Sequence, residues 1–154
     1  MSINIRQKGQ SGEREVCDWL NAIAWQVLKD EGLPYPTKPI FQRNQNQSAV
    51  GGSDITNPVL MCLEVKRQEQ LDLNAWWNQC VTAAQQFGGR PIVVFRQNGK
   101  RKWRILMMAN VPYQCGHASS PMRCEISHED FETFAYNWMR RMLQTGAWKP
   151  VEAR

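Results

Sequence analysis

The run Met61-Cys62-Leu63-Glu64-Val65-Lys66-Arg67-Gln68 constrains the fold more than any other stretch of the chain. In an extended backbone its side chains alternate, so Met61, Leu63 and Val65 line one face while Cys62, Glu64 and Lys66 line the other. The first face is core. The second carries a carboxylate and an ammonium two positions apart, and on a solvated sheet face such a pair adds little stability. The alternative is that both charges face a polar site that the core supports. Asn57-Pro58, just upstream, suits a tight turn. The segments Asp54-Ile55-Thr56 and Val59 to Gln68 therefore fold back as a hairpin, which brings Asp54, just past the paired Gly51 and Gly52, beside Glu64.

Helical periodicity frames this hairpin. From Ser11, "SGEREVCDWLNAIAWQVLKDEG" sets Val16, Leu20, Ile23 and Val27 at helical spacing, and Gly32 with Pro34 supplies the stop. "KPIFQRN" is a short strand or the approach to one. "NAWWNQCVTAAQQFGG" puts Trp76 or Trp77, Cys80, Val81, Ala84 and Phe87 on one side and closes on Gly88 and Gly89 as its C-cap. "PIVVFRQNGKRKWRILMM" gives two β-rich runs around Asn98-Gly99, a pair favoured by a type I′ turn. "NVPYQCGHASSPMRCEI" has low regularity. Ser127 with Asp130 then resembles a capping box, opening a last helix through about Thr145 whose buried stripe is Phe131, Phe134, Ala135, Trp138 and Met142. The expected order is α-β-β-β-α-β-β-α: an α/β (mixed α+β) domain with a central sheet of four to five strands flanked by helices, the last helix C-terminal.

Composition bounds the class. A chain of 154 residues with 42% hydrophobic and 21% charged content can bury the core of one globular domain. Lys and Arg exceed Asp and Glu by a formal +5, which favours anionic partners. Five cysteines are an odd number, and Cys17, Cys62 and Cys80 lie in apolar periodic stretches, so reduced core thiols are expected rather than a disulfide framework. No apolar run approaches the roughly 18 residues of a membrane span, and the polar N-terminus lacks the apolar region of a signal peptide. These features point to a soluble, cytoplasmic protein.

Glu13 falls within about 60° of Val16 and Leu20 on the helical wheel, at the end of the apolar face, whereas Glu15 points nearly opposite. A lone acid there is commonly a capping residue favoured by the helix dipole. Asp54, Glu64 and Glu13 together are another matter, because clustered carboxylates repel and are tolerated chiefly around a hard divalent cation. Mg²⁺, with Mn²⁺ as a substitute, is the natural occupant. With Asp54, Glu64 and Glu13 as metal ligands, Lys66 can orient or deprotonate water and offset charge on phosphorus, which is the chemistry of phosphodiester hydrolysis.

Asp54, Glu64, Val65 and Lys66 form "D-x9-E-V-K", which resembles the signature of the PD-(D/E)xK nuclease superfamily, with Ser53 in the place of its proline. More closely, the chain resembles the archaeal-type Holliday junction resolvases and their phage-borne relatives. "KGQSGERE", from Lys8 to Glu15, matches the family's basic-Gly-x-x-x-Glu-Arg-Glu opening. Arg43 matches the arginine that ends the next strand, "QQFGGRPIVVF" the helix end and following strand, and "KWRIL" the closing Trp-Arg strand. Asn44 stands where a serine usually follows the strand arginine, and the loop before Asp54 is longer and glutamine-rich.

The resemblance implies a restriction-endonuclease-like core over residues 1–108, with residues 109–154 as a C-terminal loop and helix packed on the same domain, serving dimer or DNA contacts. It implies a homodimer that cuts four-way junctions with Mg²⁺, in the host cell cytoplasm if phage-encoded. Glu13, Asp54, Glu64 and Lys66 are the implied catalytic residues, and the Val65 carbonyl is a further metal ligand. Arg6, Lys8, Arg14, Arg43 and Arg67 bracket the acids and are candidate phosphate contacts, with a solvated cationic surface as the plainer alternative.

"RQNGKRK" at the predicted hairpin tip either meets a nucleic-acid groove or arm or keeps the turn solvated. Seven tryptophans invite a base-stacking role, but Trp19, Trp25, Trp77 and Trp138 lie on or near helical apolar stripes, where packing is commoner. Cys115, His117, Cys124 and His128 could chelate zinc, but their irregular spacing makes ordinary loop residues the better reading. Two other functions compete with a resolvase: a restriction-like, DNA-degrading or nicking endonuclease of the same superfamily, and a catalytically inactive DNA-binding module.

Overall fold

A computed structural model describes residues 5–45, 52–113 and 118–150. Most of the glutamine-rich loop before Asp54, and both Cys115 and His117, lie outside these described residues. The elements run α1 (Ile5–Asp30), β1 (Gln42–Arg43), β2 (Ile55–Thr56), β3 (Met61–Gln68), α2 (Leu73–Phe87), β4 (Arg90–Gln97), β5 (Arg104–Pro112), β6 (Ser119–Ile126) and α3 (His128–Gln144). The fold is the expected mixed α/β one, with a six-stranded sheet in sequence order. Only β3 and β4 pair in parallel among the described strands; every other neighbouring pair is antiparallel. A parallel pair needs a crossover, and α2 supplies it.

The sheet is covered on both faces, which decides the fate of the charged strand. On one side Leu63, Val65, Ile92, Val94, Ile105 and Met107 pack under α1 and α3. On the other, Cys62, Val93, Phe95 and Leu106 pack against Trp76 and Cys80 of α2. Neither face of β3 is solvated over Met61 to Val65, so Glu64 is buried in the sheet rather than displayed on it. The buried positions of α1 recur as Val16, Cys17, Leu20, Asn21, Ala24, Val27 and Leu28, one helical stripe with a polar residue inside it.

Several expectations are corrected. Helix α1 begins at Ile5, well before Ser11, because its first turns are solvated and carry no apolar stripe to read. Glu13 is therefore inside the helix, beyond the first turn over which a dipole acts. The irregular stretch after Met108 is largely strand: β5 continues to Pro112, and β6 pairs with it along its whole length. Met122, Cys124 and Ile126 alternate with Arg123 and Glu125, but the serines and Pro121 that open β6 read as loop and mask the signal.

The Asn98-Gly99 turn is not type I′, since Gly99 has positive φ, at 79°, and Asn98 does not. The last β4–β5 pair is Phe95 with Arg104, so the turn caps a long loop and need not match the strand twist. Phe87 and Trp25 are exposed at 51% and 43%, against their placement on buried stripes. On α3, Met139 is fully buried, whereas Phe134 and Trp138 are only partly so. Ser127 caps α3 as expected, its Oγ accepting from the Asp130 amide at 3.0 Å.

Candidate active site

Helix α1, the β1–β2 ladder and β3 converge on the acids. Asp54 is placed by its backbone: its amide donates to the Leu63 carbonyl and its carbonyl accepts from the Asn44 amide, each at 2.9 Å. Its side chain then reaches across to β3, where Oδ2 accepts from the Val65 amide at 2.7 Å. Main-chain groups on both sides thus fix where Asp54 sits.

Glu64 is only 1% exposed, and both its carboxylate oxygens are buried with no hydrogen-bond partner. A buried carboxylate without donors is costly, so it holds its proton. Burial first, and the adjoining Asp54 charge second, push Glu64 up to about 9, with Lys66 opposing. Next to it, the hydrogen bond with Cys62 and burial push the Cys80 thiol up, so that thiol stays neutral.

Glu13 enters from α1 with its Oε2 accepting from Arg43 Nε at 2.8 Å. Burial raises its pKa, Arg43 pulls it back, and Asp54 and Lys66 act on it in opposite senses. Asp54 and Lys66 therefore influence both Glu13 and Glu64, so the fold brings the four predicted catalytic residues into one electrostatic neighbourhood. They do not form a finished metal cage: among the described residues no three acid, histidine or cysteine side chains converge tightly enough. The site is a pair, Asp54 and Glu64, with Glu13 held by Arg43. The orphaned Glu64 oxygens are nevertheless what a hard cation would satisfy, so the residues fit a divalent ion.

Close approach sets how α1 lies on the site. A Cβ added at Gly12 would stand 3.5 Å from Trp103, 3.6 Å from Val65 and 3.8 Å from the Cβ of Arg67, so the helix rests directly on the C-terminal half of β3. Of the predicted phosphate contacts, Arg6 and Arg14 are exposed, and Lys8 and Arg67 are half-buried. Arg43 is not a free surface cation, because its Nε is committed to Glu13.

Sequence reasoning missed three supports. Asn21 Oδ1 accepts from the amides of Ile40 (3.0 Å) and Phe41 (2.8 Å), while its Nδ2 donates to the Phe41 carbonyl at 3.0 Å. This clamp delivers Arg43 to Glu13, and its signal was legible as one polar residue within the apolar stripe of α1. Gln79, on α2, accepts from Lys66 Nζ at 3.1 Å and has no comparable signal. Glu15 forks onto Arg96, with Nη1 at 2.8 Å and Nη2 at 2.6 Å, across a separation that no local pattern announces. His128 is structural: its Nδ1 accepts from the Trp103 amide at 3.1 Å and its ring stacks on Trp19 at 4.2 Å, which removes one nitrogen from any zinc set.

Among solved structures, the chain is similar to Hjc, a Holliday junction resolvase from the archaeal hyperthermophile Archaeoglobus fulgidus. The identity is 23%, over 60% of this chain and 70% of that one, with a TM-score of 0.36. No curated protein matches. The family described as "Phage putative PDDEXK endonuclease" matches residues 4–147, nearly the whole chain, and the protein belongs to it, a nuclease of the PD-(D/E)xK superfamily.

Proposed function

We propose that the protein is a Mg²⁺-dependent, structure-selective endodeoxyribonuclease that cuts branched DNA as a homodimer in the host cytoplasm, a Holliday junction resolvase in activity. The observation that carries its catalytic part is Glu64, whose two buried oxygens have no donor and lie beside the Asp54 carboxylate. That arrangement costs stability in the free protein and becomes favourable only when positive charge arrives between the two groups.

Asp54 and Glu64 would hold the ion, with Glu13 and the Val65 carbonyl as its further ligands. Bound there, a divalent cation supplies Lewis acidity, lowering the pKa of water and offsetting charge on the phosphate. The protein's own groups do the positioning. The Val65 amide fixes the Asp54 carboxylate. Gln79 holds the Lys66 ammonium, which orients the attacking water and stabilises the phosphoryl oxygens as the new O–P bond forms and the ester P–O bond breaks. Arg43 holds Glu13 in place and opposes the upward pull of burial on its pKa. Arg6, Lys8, Arg14 and Arg67 serve the DNA backbone, and residues 109–154 supply dimer or DNA contacts outside the motif series.

Branched DNA is supported by the order of motifs at Lys8 to Glu15, Arg43, Asp54 to Lys66, Gln85 to Phe95 and Lys102 to Leu106. A restriction-like or DNA-degrading endonuclease is the second reading, favoured by a family description that names no junction. The deciding experiment incubates wild type and Asp54→Asn with Mg²⁺ on a four-way junction, a nicked duplex, a single strand and a plain duplex. The resolvase reading expects symmetric cutting of the junction alone, lost in Asp54→Asn. Equal cutting of junction and plain duplex selects the second reading. Binding without metal-dependent cleavage, unchanged in Glu64→Gln, leaves a DNA-binding module.

A further inference from the structure

The loop joining β4 and β5 is a second charged feature, at the end of the parallel pair toward which β3 runs from Glu64 to Gln68. A depression there is lined by Arg96, Gln97, Lys100, Arg101, Lys102 and Arg104, with no acid among them. It is braced on every side. Arg96 is buried, forks onto Glu15 of α1, donates to the Arg101 carbonyl at 3.1 Å and stacks on Trp103 at 4.2 Å. Asn98 Nδ2 donates to Glu69 Oε2 at 2.7 Å, Lys102 pairs with Glu129 of α3, and Arg104 pairs with Glu125 of β6 at 2.6 Å.

These contacts account for the nearby acids one by one. Glu15, Glu69, Glu129 and Glu125 each have a partner, and each partner is a residue that fixes the frame of the loop. Lys100 and Arg101, both exposed at the tip, have no acidic partner among the described residues. A tip meant only to stay solvated needs no such bracing, because ordering long side chains costs entropy. A braced tip with two unneutralised cations is suited to an anionic polymer.

Register places the loop relative to the site. Lys66 lies opposite Phe95, Arg67 opposite Arg96, and Gln68 opposite Gln97, so the tip stands roughly 10 Å beyond Lys66 at about 3.3 Å per residue. On duplex DNA, where one strand advances about 3.4 Å per nucleotide, that is about three nucleotides. We propose that Lys100 and Arg101 grip the phosphate backbone of duplex DNA about three nucleotides from the bond that is cut, a contact separate from the catalytic residues. The proposal rests on the nuclease reading above and adds to it a positioned grip on the DNA arm.

The test compares wild type, the double variant Lys100→Ser with Arg101→Ser, and a control double variant, Lys38→Ser with Lys149→Ser. The control removes the same charge beside Pro58, at the opposite end of β3. Duplex and junction binding are measured against salt without divalent metal, and cleavage is measured in Mg²⁺. The tip variant is expected to lose about ten- to a hundredfold in affinity at low salt. Its log–log salt slope should become shallower by about 2, one unit for each lost phosphate contact. KM should rise with kcat unchanged, and the control should stay near wild type. DNA trimmed to two nucleotides beyond the cut should bring wild type down to the variant.

Wild-type affinity and slope in the tip variant, or an equal fall in the control, overturn the grip while leaving the nuclease reading intact. Wild type that neither binds nor cuts any of the DNAs overturns both.

Discussion

Two glutamates on neighbouring elements receive opposite treatment. Glu15, on α1, is about half-exposed at 46%, yet it gets a bidentate arginine that is itself buried and stacked on an indole. Glu64, on β3, is 1% exposed and gets no donor. A fold arranged for stability alone would do the reverse, since an unpartnered buried carboxylate is among the costliest groups a core can hold and an exposed one needs no partner. The difference separates the work of the two regions. The junction of α1 with the β4–β5 loop is braced by a fork of hydrogen bonds, whereas Glu64, beside Asp54, keeps both carboxyl oxygens buried and unsatisfied.

The sharpest way to break that comparison is Glu64→Gln. It should abolish cleavage, by about a thousandfold or more in a gel assay, yet raise the metal-free stability at pH 8 by a few kcal/mol, since the amide stays neutral where the carboxyl is pressed to ionise. A variant both inactive and less stable in a denaturant melt would mean that Glu64 is a structural residue.

The same contrast has a pH signature. Glu64 is raised from 4.5 to about 9 in the fold, so the folded state holds a proton that the unfolded chain has released. Its contribution to stability is full below about pH 4.5 and is lost as pH rises toward 9, with a slope of up to about 1.4 kcal/mol per pH unit. Thermal melts without metal should show this decline between about pH 5 and 9. Glu64→Gln should flatten it, and so should saturating Mg²⁺ on wild type.

Smaller effects belong to the supports. Asn21→Ala leaves two buried amides and a carbonyl without partners and should cost about 3 kcal/mol. It should also lower cleavage beyond what the lost stability explains, because the segment carrying Arg43 to Glu13 is released. Glu15→Gln is the mildest: with one partner half-exposed, the lost ion pair should cost about 1 kcal/mol or less. It should leave cutting of short substrates unchanged, and a large loss of kcat there would join the two regions that this comparison separates.

Much of the site was legible because it rests on period. Alternation over Met61 to Gln68 placed Glu64 and Lys66 on one face, and the Asn57-Pro58 turn brought Asp54 alongside. What alternation could not tell is that α2 buries that second face, which is why a charged strand is a buried one. The stripe of α1 was equally readable from Val16 onward, while its solvated first turns were not, so Glu13 looked like a capping acid. Strand β6 escaped notice although Met122, Cys124 and Ile126 alternate with Arg123 and Glu125, because Ser119, Ser120 and Pro121 at its start read as loop. The fork from Arg96 to Glu15 and the clamp from Asn21 to Phe41 are tertiary facts, set by packing between distant segments.

Strand β6 has one more consequence. It is the long open border of the sheet, and an open border offers unpaired amides and carbonyls to any other extended chain. Pro121 withholds an amide from that border, and Arg123 and Glu125 set charge along it, while the opposite border, β1, is only two residues long. The protein is thereby guarded against growing end to end into aggregates. Along these two borders, strand addition by a second copy of the chain is disfavoured.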